Sequence, residues 1–457
     1  MRLRILLLPA LAAITAVAAD TNTSAAAKYR ATADKLIDAA LADNAGLARL
    51  EYLCYRIGNR LSGSSGLEQA VAWSAEEMKR AGLENVRTIP VKVPRWVRGR
   101  ESAEIVAPFH RPLYVLGLGG SVATPAGGIT GEVVPVSNFD ELEKLGRASV
   151  EGKIVLYDAP FVSYGETVIY RSNGAARAAK LGATAALVRS ITPRSLRDPH
   201  TGATNYPADG LKIPTAAVSV EDAVWVHHLA QSGEHVQVHL EMEAYFEPDA
   251  DSADVMGEIR GSEKPDEVVV IGGHIDSWDV GQGAHDDGGG VMAALEAVAL
   301  IKKLGLTPRR TIRVVFWTNE ENGGRGGRAY RDWIDKDVSR HVAAIEMDGG
   351  AEQPVGFDFA AESHQQVRFS PVFQKAMAIS QFLKRTGATR IVRGGSEADV
   401  APLFAQGVPA LALRTVMTRY FDYHHSQADT FDKIVPDEFR RCTAAFALMS
   451  YVLADWP

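Results

Sequence analysis

The chain has 457 residues, 46% of them apolar and 23% charged, with 41 glycines and 21 prolines; these ordinary proportions exclude collagen, coiled-coil and intrinsically disordered classes and leave room for a large buried core. Forty-nine basic against 56 acidic side chains give a formal charge of −7, which argues against a polyanionic partner such as nucleic acid. The only cysteines, Cys54 and Cys442, cannot staple a chain of this length; one bridge between them and a pair of free buried thiols are both open readings.

At the N-terminus, Arg2 and Arg4 precede a nearly uncharged run that ends in Val17-Ala18-Ala19 before Asp20. Small residues at the −3 and −1 positions of a cleavage site, after an apolar run shorter than the ~20 residues a membrane span needs, predict a cleavable secretory signal over residues 1–19. The mature chain is therefore expected to be secreted or periplasmic, with no membrane anchor. Residues 25–82 carry apolar positions such as Leu47, Leu50, Leu53 and Cys54 at helical spacing, followed by a second amphipathic stretch that stops at Gly82. Residues 95–249 read as short strands and glycine-rich turns with a few helical runs, a β-rich module set between two parts of one domain, residues 20–94 and 250–457. From about residue 254 strands and helices alternate: VVVIGGH (268–274), the apolar helix 291–304, TIRVVFW (311–317), HVAAIEMD (341–348) and PALAL (409–413). That alternation predicts an α/β fold, a mostly parallel sheet with helices on both faces.

Polar clusters follow these strands, on the sheet edge where open α/β folds bind ligands. GGHIDSWDVGQGAHDDGGG (272–290) offers His274, Asp276, Asp279, His285, Asp286 and Asp287; WTNEENGG offers Glu320 and Glu321; EMDGG offers Asp348; HHSQADT offers His424 and His425. Each cluster alone is more often a solvated loop, and DDGGG alone more often a turn and helix cap. Together they form an imidazole and carboxylate set suited to zinc, too large for one catalytic ion and matched to two ions sharing a carboxylate. Eight further histidines (His110, His200, His227, His228, His235, His239, His341 and His364) fall outside this pattern and read as surface or satisfied core residues.

In order and spacing the motifs resemble the co-catalytic zinc exopeptidases that include bacterial secreted aminopeptidases and the glutamate carboxypeptidases, most of all the plasma glutamate carboxypeptidase branch. The resemblance runs over nearly the whole mature chain, including RLSGSSGLEQAVAWSAEEMKRAGLE (60–84) and SEADVAPLFAQGVPALAL (396–413), and likens residues 95–249 to a protease-associated domain. It implies two zinc ions, with His274 and Asp348 on one, Glu321 and His425 on the other, and Asp286 bridging. It implies Glu320 as general base and Asp276 as the carboxylate that orients His274. Where many relatives have a tyrosine before the last ligand, Tyr423 is followed by two histidines, so His424 is either a donor to the reaction's oxyanion or itself the ligand in place of His425. Asp399 also falls in a family motif, with substrate contact and structural roles both open. The expected substrate is a short peptide, with a homodimer implied by analogy. Arg393, Arg414 and Arg419, near the last cluster, are candidate anchors for a substrate carboxylate or equally ordinary surface salt-bridge partners. A single-zinc acyl-cyclising or deacylating enzyme and a catalytically silent binding protein are the alternatives on the same fold, and both predict ligands missing from the set.

Overall fold

The computed structural model describes residues 27–457 apart from residue 195; the expected signal peptide over residues 1–19 lies outside them. A mixed eight-stranded sheet is built from β1 (Glu84–Val97), β2 (Tyr245–Ile259), β3 (Lys264–His274), β4 (Arg310–Trp317), β5 (His341–Glu346), β6 (Pro354–Ala360), β7 (Arg390–Gly394) and β8 (Ala410–Thr415), in the order β1-β2-β4-β3-β5-β8-β6-β7. The four central strands β4, β3, β5 and β8 run parallel, whereas β1, β2 and β6 join antiparallel. The parallel strands are largely buried on both faces, which is why they read as mostly apolar runs, with Arg313 in β4 and Arg414 in β8 only partly buried.

Helices α1 (Arg30–Ala42), α2 (Ser65–Arg80), α3 (Gly289–Lys303), α4 (Arg325–Ile334) and α5 (Pro436–Asp455) cover the sheet. Helix α3 is apolar around almost its whole circumference and is buried against the sheet, α1 and α5. Full burial of each Leu or Ile along it is worth about 1.5–3 kcal/mol. Its N-terminus, carrying Asp286 and Asp287, is thereby fixed against the ends of β3 and β5.

β1 and β2 continue as a paired ribbon, Val93 opposite Ala250 and Val97 opposite Tyr245, out to a second eight-stranded sheet formed by segments between residues 101 and 242. This lobe is less purely β than its sequence suggests. Helices Phe139–Val150, Tyr164–Lys180 and Val220–Gln231 pack on it, and four of its strands run parallel. Gly146 interrupts the first of these helices with a non-helical φ of 65°. Cys54 and Cys442 are both buried and free, so no disulfide joins them. No described helix is long and apolar enough to cross a membrane.

Candidate metal centre

The register of the parallel strands brings the polar clusters to one edge. His274 at the end of β3 lies opposite Trp317 at the end of β4, and Gly272 opposite Glu346 at the end of β5. Glu320 and Glu321 follow β4, Asp348 follows β5, and the turn after β8 delivers His424 and His425.

Asp286 sits at the middle. Its Oδ1 lies 3.2 Å from His274 Nε2 and its Oδ2 3.2 Å from His425 Nε2. Asp348 Oδ1 is 3.3 Å from His274 Nε2, and Glu321 Oε2 is 3.0 Å from His425 Nε2. His424 Nε2 stands 3.5 Å from Asp286 Oδ2, its ring stacked on that of His425 with centroids 3.6 Å apart. Asp287 turns away from Asp286: it accepts hydrogen bonds from the backbone N–H groups of His274 (3.2 Å) and Gly290 (2.9 Å), capping the start of α3. Glycine at 273 is required there, since a Cβ would come within 2.1 Å of Asp287 Oδ2.

The remaining members of the clusters have other work. His285 accepts from the Ala351 N–H through Nδ1, and Asp279 pairs with Arg98, so neither faces the centre. Asp429 accepts the backbone N–H groups of His285 (2.8 Å) and Asp286 (3.1 Å), fixing the loop that carries the central carboxylate. His274 Nδ1–H donates to the backbone carbonyl of Asp276 at 3.0 Å, which presents Nε2 toward the carboxylates. The Asp276 carboxylate stands farther off, 3.7 Å from the same nitrogen. It accepts instead from the N–H groups of Glu320 (3.0 Å) and Glu321 (3.4 Å) and from the Ser62 hydroxyl (3.4 Å). Asp399 is buried behind the centre, its carboxyl pushed up to about 7 by burial and by Asp276 and Asp348. Of the three candidate arginines, Arg414 lines the cavity over the centre, paired with Asp358 and Glu397. Arg393 is tied to the carbonyls of Ala361 and Glu362, and Arg419 to Glu352 and Glu438.

The electrostatics favour cations. Burial together with Asp348, Glu321 and Asp399 pushes Glu320 well above the usual carboxylate range, and burial with Asp286 pushes Glu321 up to about 7. Against the cost of burial, Asp348, Asp276 and Asp286 hold His274 well above the ordinary imidazole value. Also against burial, His274 and His425 draw Asp286 well below the ordinary value. Burial and the neighbouring His425 depress His424. Acids that discourage one another's ionisation this strongly are relieved by metal charge. Glu321 Oε1 and Asp286 Oδ2 are buried without a hydrogen-bond partner, which fits them to a metal ion. Ligand atoms of His274, Asp286 and Glu321, of Asp286, His424 and His425, and of His274, Asp287 and Asp348 each cluster within 4.8 Å. The donor set therefore fits zinc.

The second lobe reaches the centre in a way its sequence did not announce. His200 Nδ1 meets the carbonyl of His424 at 2.7 Å, and Thr201 N–H donates to the carbonyl of His425 at 2.8 Å, holding His425 at a φ of 61°. His200 is thus a core residue with a place beside the site. Tyr164 and Arg171, from helix Tyr164–Lys180, line the cavity, whose volume is about 300 Å³. Tyr423 faces away from the cavity and stacks on His285.

The model of peptidase family M28 matches residues 254–450, the segment that carries every one of these clusters. Carboxypeptidase Q of Xenopus laevis is 42% identical over 430 residues, 93% of this chain and 90% of that protein. The chain belongs to peptidase family M28. Carboxypeptidase Q of Homo sapiens is 41% identical over 91% of this chain and 86% of its own. The crystal structure of an M28 peptidase precursor from Shewanella amazonensis superposes with a TM-score of 0.88 at 35% identity, covering 96% of this chain and 97% of that one. A zinc aminopeptidase from Bacillus subtilis shares the fold at 17% identity, with a TM-score of 0.65 over 90% of this chain and 97% of its own. This M28 protein is a zinc-dependent exopeptidase.

Proposed function

We propose that this M28 peptidase is a two-zinc hydrolase that cleaves dipeptides or removes terminal residues from short peptides. His274 and Asp348 would hold one ion, Glu321 and His425 the other, with Asp286 between them. The observation that carries the count is the symmetry about Asp286, each of whose oxygens faces a different imidazole at 3.2 Å. His425 rather than His424 is the terminal ligand in this reading, because His425 reaches Glu321 at 3.0 Å and lies nearer Asp286. That no ligand of the set is missing speaks against the single-zinc and silent alternatives. A cavity of about 300 Å³ is at the small end for ligand sites and suits a short peptide.

Bound zinc supplies Lewis acidity, which acidifies water and polarises a carbonyl. Glu320 lines the same cavity and takes a proton from the attacking water, then returns it to the leaving amine. Asp276 sets the position of Glu320 through the backbone N–H it accepts. The catalytic domain would comprise residues 20–94 and 250–457, with residues 95–249 as an inserted lobe that narrows the cavity, and residues 1–19 would direct export.

The test is metal analysis with a dipeptide assay on wild type and Glu320→Gln. The substitution is expected to keep both zinc equivalents and to lower turnover by about a hundredfold to ten-thousandfold, the usual range for losing a general base. Wild-type turnover in Glu320→Gln would overturn the mechanism.

A further inference from the structure

Two buried arginines near the centre differ in how their N–H groups are met. Arg60 donates to the carbonyls of Ile275, Gly58, Gln282 and Gly283, so its charge is spread over backbone dipoles. Arg171 is 6% exposed and has no carboxylate partner among the described residues. Its Nη1 donates to the Thr201 carbonyl at 3.2 Å and its Nη2 to the Tyr164 hydroxyl at 2.9 Å, while Nε has no partner. Nη1 also stands 3.2 Å from His425 Nδ1. With His425 bound to metal through Nε2, Nδ1 carries the proton and directs it to the Thr201 carbonyl at 3.3 Å. That nitrogen is then a donor facing a donor, and it relieves none of the guanidinium's need.

A guanidinium is always charged, and leaving its N–H groups unmet in a buried site is costly. The other cavity-lining arginine, Arg414, already has Asp358 and Glu397. Gly202 packs against the Arg171 guanidinium so closely that a Cβ there would come within 2.3 Å of Cζ, so glycine at 202 leaves this group its place beside the cavity. The Tyr164 hydroxyl accepts from Arg171 and has its own proton free to give.

We infer that Arg171 and the Tyr164 hydroxyl bind the free α-carboxylate of the substrate, so that the peptide bond cut is the one that releases the C-terminal residue. This rests on the peptidase reading above and adds the terminus. Its geometry is consistent: the His425 imidazole alone separates the guanidinium from Asp286. In a C-terminal residue only three bonds, spanning about 4 Å, separate the scissile carbonyl carbon from the carboxylate carbon. A carboxylate on Arg171 therefore leaves the scissile carbonyl beside the metal ligands.

The experiment measures equilibrium binding of alanyl-leucine and of its C-terminal amide to zinc-loaded Glu320→Gln protein by calorimetry, alone and combined with Arg171→Met, Arg171→Lys or Tyr164→Phe, with zinc content recorded for each. The free acid should bind at least about tenfold more tightly than the amide, as loss of charge-assisted hydrogen bonds predicts. Arg171→Met should abolish that preference while both zinc equivalents stay, and Arg171→Lys and Tyr164→Phe should each keep part of it. Equal binding of acid and amide by the Glu320→Gln protein would overturn the anchor and leave the two-zinc mechanism standing, even if Arg171→Met does not fold. Loss of a zinc equivalent in Arg171→Met, or equal weakening of acid and amide, would assign Arg171 to positioning His425 and also overturn it. Full turnover in Glu320→Gln would refute the general base without touching the carboxylate preference.

Discussion

Replacing Asp276 by asparagine separates two roles that its place beside His274 would otherwise confound. The Asp276 carboxylate is wholly buried and accepts from Glu320 N–H, Glu321 N–H and the Ser62 hydroxyl. Asparagine keeps one acceptor oxygen and turns an NH₂ group toward at least one of those donors. One buried donor left unmet costs about 1–3 kcal/mol, a loss that a protein with about 5–15 kcal/mol of stability survives. The larger effect falls on the loop. Glu320 loses the bond that fixes its backbone, and a displacement of about 1 Å at a catalytic group costs on the order of a hundredfold in rate. His274, by contrast, is oriented by the Asp276 carbonyl, which the substitution leaves in place. Asp276→Asn is therefore expected to retain both zinc equivalents by elemental analysis, to melt a few degrees lower, and to lose about a hundredfold in kcat. Loss of one zinc equivalent with normal turnover per remaining site would refute this reasoning and return the carboxylate to His274.

Two further tests address the last ligand and the core. His425→Ala should lose about one zinc equivalent while His424→Ala keeps both, with metal analysis as the readout; the reverse pattern would make His424 the ligand. Glu296, buried on α3 beside Arg49, is pushed from 4.5 up to about 7 by burial and by Asp43, against the pull of Arg49 and Lys303. A raised carboxyl stabilises the fold fully below the lower value and loses that contribution as pH rises to the upper one. Wild type should lose about 3 kcal/mol relative to Glu296→Gln between about pH 4 and pH 8 in urea unfolding. A pH-independent difference would show that folding leaves the Glu296 carboxyl at its ordinary value and refute the shift.

Much of the centre was legible because its residues follow strands that are themselves conspicuous. His274, Glu320, Glu321 and Asp348 lie within a few residues of apolar runs whose parallel register aligns their ends, so strand periodicity and residue chemistry sufficed to group them. The division of labour inside GAHDDGGG was not legible. Adjacent Asp286 and Asp287 have the same chemistry, and only the packing of α3 against β3 and β5 sends one carboxylate to the centre and the other to the helix cap. Nor did composition reveal that Asp276 serves Glu320 through its carboxylate and His274 through its carbonyl, since the first contact depends on how the loop after β4 packs beside the turn after β3 and the second on that turn itself.

The sequence by itself determined the elements and the chemistry on offer: apolar runs that must be buried, and imidazoles and carboxylates placed where those runs end. Tertiary structure decided which groups from the second lobe meet them. Arg171 lies 254 residues from His425 in an ordinary amphipathic helix, and His200 is one histidine among many. Local periodicity carries no information about contacts across such separations. They arise only when the ribbon of β1 and β2 folds the second sheet back over the ends of β3, β4, β5 and β8.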